Sequence, residues 1–469
     1  MQIVLVFPHQ LFVEPKDETV IVLIEDELFY NEVHRFHKQK LLLHRASMQA
    51  FYDTLDGSKR YFDYPVNRQA LHRLLTEASS ITAYHPHDHA LIEKYQDYPI
   101  KWLEDPTFLT DSQTIENYFK ARKNYYLYDF YRFQRKRLKI LMNQDKPLEN
   151  RYSFDTENRK KLPPSINIPN QQTNSRNPYV EEATAWVNHH FPNHPGQTED
   201  FNYPITHRQA KAQLIDFVTT KLTMFGPYQD AISDRDPYLF HSNLSSSLNT
   251  GLILPKTVID YVLAADVPLP SKEGFIRQII GWREFVRAIY LREGKTMVKG
   301  NFMNHTYQLN NNWYQANTNL SIIDKLLQKI DRYAYSHHIE RLMILGNFMF
   351  LMTIHPDDVY NYFMSSHIDA YAWVMVPNIY GMSQYANGPM MTTKPYFSGS
   401  NYLIKMGAEK DHWQLYWDAL FYCFLEENNK LIDENPRLRV LLRNLERKSQ
   451  TQMNNYRKLK QELIQQLTK

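Results

Sequence analysis

The sequence predicts an α/β domain with a doubly wound parallel sheet, followed by an all-helical domain. Over the first 110 residues, short apolar runs alternate with amphipathic helical stretches. From residue 207 onward the apolar residues recur mostly with helical spacing and strand signals are few. A polar stretch rich in Pro and Asn lies between the two parts, as in an interdomain connection.

The N-terminal domain is predicted to cover residues 1–135 and to form a Rossmann-like sheet. Its predicted strands are the apolar runs at 2–7, 19–26 and 79–86, and its predicted helices lie at 43–55 and 68–78. Residues 118–140 are predicted to form a basic helix interleaved with aromatic residues. Inward packing of its aromatic face is the favoured interpretation of this helix, and contact with nucleic acid is the alternative.

Ligands of such sheets bind at the carboxyl ends of the strands. This rule predicts a ligand site near Pro8, His9 and Gln10 after the first strand and near Glu25 and Asp26 after the second. Neither GxGxxG nor GxxxxGK[ST] occurs there, which argues against ordinary dinucleotide or P-loop chemistry.

The remaining boundaries follow from composition. Residues 136–206 are predicted to be a linker, residues 207–435 the helical domain, and residues 436–469 a charged helical extension, either a helix pair or one long helix. The chain contains 33 tyrosines but only 13 glycines, which suits a helical, aromatic-rich interior.

Charge and cysteine content narrow the functional classes. Lys and Arg number 54 against 51 Asp and Glu, so the net charge of +3 is too small to argue nucleic-acid binding by itself. The single cysteine, Cys423, cannot form an intramolecular disulfide or supply a cysteine-ligated zinc or iron-sulfur site. Neither a basic leader nor a membrane-spanning apolar run is visible, so we expect a soluble, cytoplasmic protein with no membrane partner.

A serine-rich turn lies in the helical part of the sequence. Ser242, Ser245 and Asn249 surround a predicted helix start, where hydroxyl and backbone N–H groups would suit a diphosphate. A helix start capped by serine, without a ligand, is the simpler interpretation.

A second cluster combines histidines with charged residues. His337 and Arg341 are spaced to share one helix face with His338 beside them, and Asp369 is an apolar-flanked carboxylate able to pair with Arg341. Structural roles for both histidines are the alternative.

Aromatic and histidine-rich segments give two further candidates. Tyr396 and Tyr402, with Trp282 and Arg283, suit a planar ligand or a flipped base, although ordinary core aromatics have the same pattern. The segment HPHDH places His85, His87, Asp88 and His89 close together, but Pro86 favours a strand-to-helix loop over a metal site, so no metal is expected.

Taken in order, the longer motifs resemble one family, the prokaryotic cryptochrome/photolyase group that includes bacterial (6-4) photolyases. The helical-domain motifs are FGPYQDA at 225–231, HSNLSSSLN at 241–249, EGFIRQIIGWREFVR at 273–287, HHIERLMILGNF at 337–348 and DAYAWVMVPNIYGMSQYANGPMMTTKPYFSGSNY at 369–402. The N-terminal half agrees through FPHQLF at 7–12, YDFYRFQRKRL at 128–138 and FDTENRKKLP at 154–163. The resemblance therefore covers nearly the whole chain.

The resemblance implies that the helical domain holds FAD in a U shape. The residues it assigns to FAD are Phe225, Gly226, Tyr228, His241, Ser242, Leu244, Ser245, Asn249, Gln278, Arg283, Arg341, Asp369 and Asn378. Among them, Arg341 and Asp369 would be an ion pair against the isoalloxazine. His338 matches the histidine that acts on the lesion, with His337 in support, and Tyr396 and Tyr402 match lesion-facing tyrosines.

The sequence also departs from the family pattern. Most members have four cysteines for an iron-sulfur cluster, so the cluster is expected to be absent here and its place to be filled by packing around Trp413, Tyr416 and Trp417. Where the family's electron route has tryptophans, we assign Tyr314 and Tyr362, with Trp313 and Trp373 nearby. Relatives bind a ribityllumazine antenna beside a GDQL-like turn, whereas this chain has PHQL, so its antenna site holds a lumazine or is empty.

The resemblance implies a monomeric, light-dependent DNA repair enzyme that acts on (6-4) photoproducts in UV-damaged DNA, with FAD as catalyst and His338 as proton donor. A histidine can change charge near neutral pH without a large pKa shift. The alternatives are a blue-light-sensing cryptochrome, a cyclobutane pyrimidine dimer photolyase, and a flavin-binding scaffold that has lost electron transfer.

Overall fold

A parallel five-stranded sheet forms the centre of the N-terminal domain. The structure is a computed structural model that describes residues 1–14, 18–31, 33–122, 124–174 and 176–469. The sheet strands are β1 (Gln2–Val6), β2 (Thr19–Ile24), β3 (Lys59–Phe62), β4 (Ser80–Tyr84) and β5 (Ile100–Leu103), in the order β3-β2-β1-β4-β5. In register, Ile3 of β1 lies between Val20 of β2 and Ile81 of β4. This is the doubly wound arrangement that the sequence predicts.

Helices are the main regular elements of the remaining chain. Those of the first 206 residues are α1 (Lys38–Thr54), α2 (Arg68–Thr76), α3 (His89–Lys94), α4 (Ser112–Phe119), α5 (Leu127–Leu138) and α6 (Pro178–His190). Those that follow are α7 (His207–Asp216), α8 (Leu222–Tyr228), α9 (Ser245–Thr250), α10 (Pro255–Ala264), α11 (Leu269–Ile276), α12 (Glu284–Met297), α13 (Asn311–Tyr314), α14 (Ser321–Tyr333), α15 (Asn347–Leu351), α16 (Pro356–Ser366), α17 (Ala372–Val376), α18 (Ser400–Met406), α19 (Trp413–Glu427), α20 (Asn429–Glu434), α21 (Leu442–Glu446) and α22 (Gln450–Leu467). None of the helices formed by the described residues is both long and apolar enough to cross a bilayer.

Two predictions about the N-terminal half need correction. The strands β3 and β5 were missed, because each is a half-buried edge strand that includes a charged residue, such as Arg60 or Lys101. The single basic helix predicted at 118–140 is wrong: α4 ends at Phe119 and α5 begins at Leu127. Between them the Tyr125 N–H donates to the Met390 carbonyl rather than continuing a helix. Lys123, in the same interval, lies outside the described residues.

The segment predicted as a linker contains α6, which packs on α1 of the N-terminal domain. Asn177 caps this helix and Pro178 begins it. Glu182 of α6 forms a 2.6 Å ion pair with Arg45, and Trp186 lies under the same guanidinium group at 4.2 Å. Much of this connection is therefore built onto the surface of the sheet domain.

The two domains share a continuous apolar core, and polar contacts join them at the carboxyl ends of the strands. Glu284 of α12 accepts the backbone N–H groups of Leu109 and Thr110. The His89 ring stacks on Tyr290 of α12 at 4.6 Å. The sheet domain is therefore fixed directly against the helix that carries one side of the cavity described below.

The extension at 436–469 is a helix pair, α21 and α22. Leu463 and Leu467 of α22 are buried against the body of the helical domain. In α19, against which α22 packs, the rings of Trp413 and Trp417 lie 5.7 Å apart and both are fully buried. Aromatic packing thus fills this end of the molecule.

Candidate functional site

The helical domain encloses a cavity of about 960 Å³. Three π-helical segments contribute much of its wall: Arg277–Arg283, Glu340–Gly346 and Pro377–Ser383. Wide turns of this kind are frequent at functional sites, because the extra residue re-aims neighbouring side chains. Further wall residues come from α9, from residues 394–402, from Asp155 and Arg159 and from several other helices and turns of the helical domain.

Most residues that the resemblance assigns to FAD line this one cavity. They are Phe225, His241, Ser242, Leu244, Ser245, Asn249, Gln278, Arg283, Arg341, Asp369 and Asn378. Gly226 and Tyr228 do not line it. Gly226 lies against α11, where a Cβ atom would come within 2.5 Å of the Ser271 hydroxyl, and the Tyr228 ring packs on Phe240 at 5.8 Å. Gly226 therefore allows α8 to approach α11 closely, and Tyr228 packs on the turn that precedes His241.

An ion pair forms one part of the wall. Arg341 Nη1 lies 3.0 Å from Asp369 Oδ1 and Nη2 lies 3.3 Å from Oδ2, so the pairing predicted for these residues is present. Arg341 Nε also donates to the Ser336 carbonyl at 2.8 Å. Burial alone would raise the pKa of Asp369, but the charge and hydrogen bonds of Arg341 hold it below its ordinary value. Asp369 is therefore ionised at neutral pH and presents a fixed dipole to the cavity.

Several polar groups at the wall lack a hydrogen-bond partner within the protein. Within the described part of the chain, these buried atoms include Asn243 Oδ1, Arg283 Nε and both ring nitrogens of His337. Arg283 is otherwise held by Asn249 Oδ1, and Asn249 Nδ2 donates to the Asp369 carbonyl at 2.9 Å. Buried polar groups without partners are unfavourable, so a wall of this kind suits a polar ligand.

The histidines lie side by side but in different surroundings. His337 is buried and stacks on His241 at 4.6 Å. His338 is exposed toward the cavity, 6.3 Å from the Trp282 ring. Desolvation, followed by the charge of Arg341, lowers the pKa of His338 to about 4. With this pKa, His338 is neutral at pH 7 in the chain alone.

Tyr396 and Tyr402 line the same cavity, with Lys394 beside them. The pKa of each tyrosine is raised, mainly by burial. Both phenols are therefore neutral hydrogen-bond donors at physiological pH.

Sequence reasoning missed a set of charged residues in the wall. Arg277 Nη1 lies 3.2 Å from Asp155 Oδ1, and exposed Arg159 lines the cavity beside them. Burial, and then the charge of Asp155, raises the pKa of Asp230 to about 6. Asp155 and Arg159 belong to the predicted linker, where charged residues look like ordinary solvated ones.

The residues assigned to electron transfer separate into different places. The rings of Tyr314 and Tyr362 lie 5.6 Å apart, and Tyr362 lies 5.8 Å from Phe363, which lines the cavity. Tyr314 is 51% exposed, so these rings connect the cavity with the surface. Trp373 lines the cavity itself. Trp313 instead donates its indole N–H to the Leu467 carbonyl, which ties α13 to the end of α22.

The residues assigned to an antenna are occupied by protein contacts. The Glu25 carboxylate accepts hydrogen bonds from the Tyr61 hydroxyl at 2.7 Å and from Arg45 Nη1 at 3.1 Å. Asp26 accepts a hydrogen bond from Lys94 Nζ at 2.9 Å. Gln10 donates to the Tyr84 carbonyl at 2.7 Å, and Pro8 is buried beside it. The His9 ring is enclosed near Phe7, Phe29 and Tyr371. Gln10, Glu25 and Asp26 thus have hydrogen-bond partners within the protein, whereas both ring nitrogens of His9 are buried without one among the described residues.

Of the HPHDH histidines, His85 and His87 lie in the loop between β4 and α3, and His89 begins α3. Asp88 caps α3 through the N–H groups of Ala90 and Leu91, and His85 Nδ1 lies 3.0 Å from His87 Nδ1. His87 Nε2 lies 3.2 Å from Asp105 Oδ2. Among the residues that the structure describes, no group of three or more His, Cys, Asp or Glu side chains is arranged to hold a metal ion.

Comparison with known proteins gives three kinds of match. A family model described as deoxyribodipyrimidine photo-lyase-related protein matches residues 4–203. A (6-4) photolyase from Agrobacterium fabrum is 34% identical over 352 residues, which cover 71% of this chain and 69% of that protein. The structure of a Synechocystis cryptochrome superposes with a TM-score of 0.56 at 13% identity, covering 97% of this chain and 94% of that one. An archaeal photolyase from Sulfolobus tokodaii, solved with two FAD molecules, superposes with a TM-score of 0.52 at 12% identity, covering 82% and 83%.

Proposed function

The chain belongs to the cryptochrome/photolyase family, and from this premise we propose that it is a light-dependent DNA repair flavoenzyme, a (6-4) photolyase. The observation that carries the proposal is that His338, Tyr396, Tyr402 and the Arg341–Asp369 pair line the same cavity. A cavity with an ion pair on its wall and an accessible histidine offers a place for a flavin and for a base that has left the duplex.

The cavity residues fit FAD. The cavity volume of about 960 Å³ falls in the range of small-molecule and cofactor sites. Ser242, Ser245 and Asn249 would hold the polar chain of the cofactor, and Arg341, Asp369 and Asn378 would lie around its ring system. The partnerless polar atoms of Asn243, Arg283 and His337 supply further hydrogen-bonding capacity. When bound, FAD would supply light absorption and the electron that enters the lesion.

His338 would then handle the proton. In the chain alone its imidazole is neutral at pH 7, because its pKa is about 4. The negative charge of the lesion after it accepts an electron, together with that of its phosphates, would raise this pKa and allow a ring nitrogen to donate a proton as the transferred group returns. Tyr396 and Tyr402 would hold the lesion by hydrogen bonds, and Arg159 and Lys394 would attract its phosphates.

A blue-light sensor is the second candidate. The electron route to the surface favours it, since Tyr314 is 51% exposed and in ring contact with Tyr362. A sensor has no need of an acid facing a lesion, which is the reason to place repair first. A cyclobutane dimer substrate ranks below both, because that reaction needs no proton donor.

The test is product analysis of an oligonucleotide carrying one (6-4) lesion, incubated with the reduced, FAD-loaded protein in blue light or in the dark. We expect intact pyrimidines to return only in the light. His338→Ala should abolish repair while FAD remains bound, and His189→Ala, a change at an exposed histidine of α6, should repair normally. Bound, reducible FAD without repair would move the assignment to the sensor, and repair only of a cyclobutane dimer oligonucleotide would move it to that lesion.

A further inference from the structure

Residues at the start of α1, in the sheet domain, form hydrogen bonds with the part of the helical domain that carries Asp369. His37, which caps α1, lies with Nε2 2.9 Å from the Asp331 carbonyl, and its own N–H donates to the Ser365 carbonyl at 2.6 Å. Gln39 Nε2 donates to the Arg332 carbonyl at 2.7 Å. These contacts reach the end of α14 and the end of α16, which flank the residues that form the ion pair.

One turn further along α1, Lys40 reaches the ion-pair segment itself. Its side chain is 1% exposed, and Nζ donates to the carbonyl of Ala370, the residue after Asp369. The ammonium group lies 4.1 Å from the centre of the Phe36 ring and 4.8 Å from that of Tyr371. His44 continues the row, with Nε2 2.9 Å from the Tyr371 hydroxyl.

A lysine is almost never fully buried, because desolvation of the ammonium group is unfavourable. Here two aromatic faces and a carbonyl oxygen replace its water. The carboxylates whose charges stabilise it are Asp369, which has the larger effect, and Asp88. Lys40 therefore couples to Asp369 in two ways, through the adjacent peptide group and through charge.

We propose that Lys40 is a positioning residue for Asp369: it holds the 369–371 segment from the sheet domain and places a positive charge behind the carboxylate that pairs with Arg341. The effect of Lys40 on the 369–371 segment does not depend on a bound cofactor. The effect on a flavin rests on the proposed function. A positive charge on this side of the cavity favours the form of a bound flavin that carries an added electron, so removing it should make the midpoint potential more negative.

Two substitutions separate the hydrogen bond from the charge. Lys40→Met removes both and keeps an unbranched side chain, while Lys40→Gln keeps a donor for the Ala370 carbonyl and removes only the charge. Lys40→Arg retains both and serves as the rescue variant. Lys38→Met is the matched control, since Lys38 is only half-buried on the same helix.

The first measurement is amide hydrogen exchange of the FAD-free protein, read over residues 367–371. Loss of one hydrogen bond from a charged donor should speed exchange there about tenfold in Lys40→Met. The change should be smaller in Lys40→Gln, and Lys38→Met should leave exchange unchanged. Unchanged exchange in both Lys40→Met and Lys40→Gln would overturn the proposal.

The second measurement is the midpoint potential of bound FAD at about pH 6, where Lys40 is protonated because its pKa is about 7. The potential should shift to more negative values in Lys40→Met and Lys40→Gln and recover in Lys40→Arg. Equal potentials in all variants would refute the electrostatic part. If the wild-type protein does not bind FAD at all, the proposed function fails, while the exchange result still decides the role of Lys40.

Discussion

Replacing Lys40 by methionine should stabilise the fold at and below neutral pH, and the gain should shrink as the pH rises. Burial lowers the pKa of Lys40 to about 7, against an ordinary value of 10.5. Below pH 7 the lysine is protonated in both the folded and the unfolded chain, so the folded chain bears the full cost of burying the charge. Between pH 7 and about 10.5 the folded chain has released the proton and the unfolded chain has not, so wild-type stability rises with pH in this window.

The size of the effect follows from the pKa difference. At about 1.4 kcal/mol for each pH unit, the full penalty in the wild type is about 5 kcal/mol. Between pH 7 and pH 9 the wild type should recover about 2 kcal/mol relative to Lys40→Met. Burial is the largest influence on the pKa of Lys40 and lowers it, and the charges of Asp369 and then Asp88 offset part of this effect. His44 and His34 lie close enough for Lys40 to lower their own pKa values.

Urea unfolding of the FAD-free proteins, followed by tryptophan fluorescence at pH 7 and pH 9, measures the difference directly. Comparing the two proteins at each pH cancels the titration of distant groups. Stability curves of wild type and Lys40→Met that run parallel between pH 7 and pH 9 would show that Lys40 keeps its proton throughout, and would refute the reasoning. A stabilised variant with faster exchange at residues 367–371 would show that Lys40 lowers global stability while it fixes one segment.

Three further outcomes are expected. Tyr362→Phe should slow the photoreduction of bound FAD about tenfold or more, because Tyr362 lies between Tyr314 and the cavity. The rate is measured as loss of the oxidised flavin absorption in blue light, and an unchanged rate would exclude electron transfer through Tyr362. Titration with a ribityllumazine should give no saturable change in its fluorescence, since Glu25 and Asp26 are held by protein partners; stoichiometric binding would show that these contacts open. Leu463→Ala should destabilise the helical domain by about 2 to 5 kcal/mol in urea unfolding, because this side chain of α22 is 1% exposed. The control Glu462→Ala, on the exposed face of α22, should change the free energy of unfolding by less than about 0.5 kcal/mol. Equal effects of the two substitutions would show that α22 is not part of the core.

The sequence predicted the central strands better than the edges. In β1 and β2, buried apolar residues run almost without interruption, so periodicity identifies them. β3 and β5 have one neighbour each and tolerate charged residues, so nothing in a short window distinguishes them from a loop. The helix α6 was missed for a related reason, because it lies in a stretch whose Pro and Asn content dominates its short apolar pattern.

At the site, the predictable residues were those with unusual surroundings in the sequence. Asp369 stands out because it is a carboxylate among apolar residues. Helical spacing places Arg341 on one face with His337, but its pairing with Asp369 depends on how the helices pack. Asp230 and Arg159 lie about 70 residues apart in the sequence, and only the folded chain brings them to one cavity. The low pKa of His338 also depends on three-dimensional packing, which no residue spacing reports.

The wide turns in the cavity wall bear on how this fold changes over evolution. A π-helical turn contains one residue more than an α-helical turn. Deleting one residue from Arg277–Arg283 or Glu340–Gly346 would leave an ordinary α-helix, because the wide turn itself absorbs the extra residue, but the side chains within the turn would change direction. The helix would keep its packing partners while Arg283 or Arg341 turned away from the cavity. Single-residue gains and losses at these turns are therefore a route by which one scaffold can acquire or lose a ligand without a new fold.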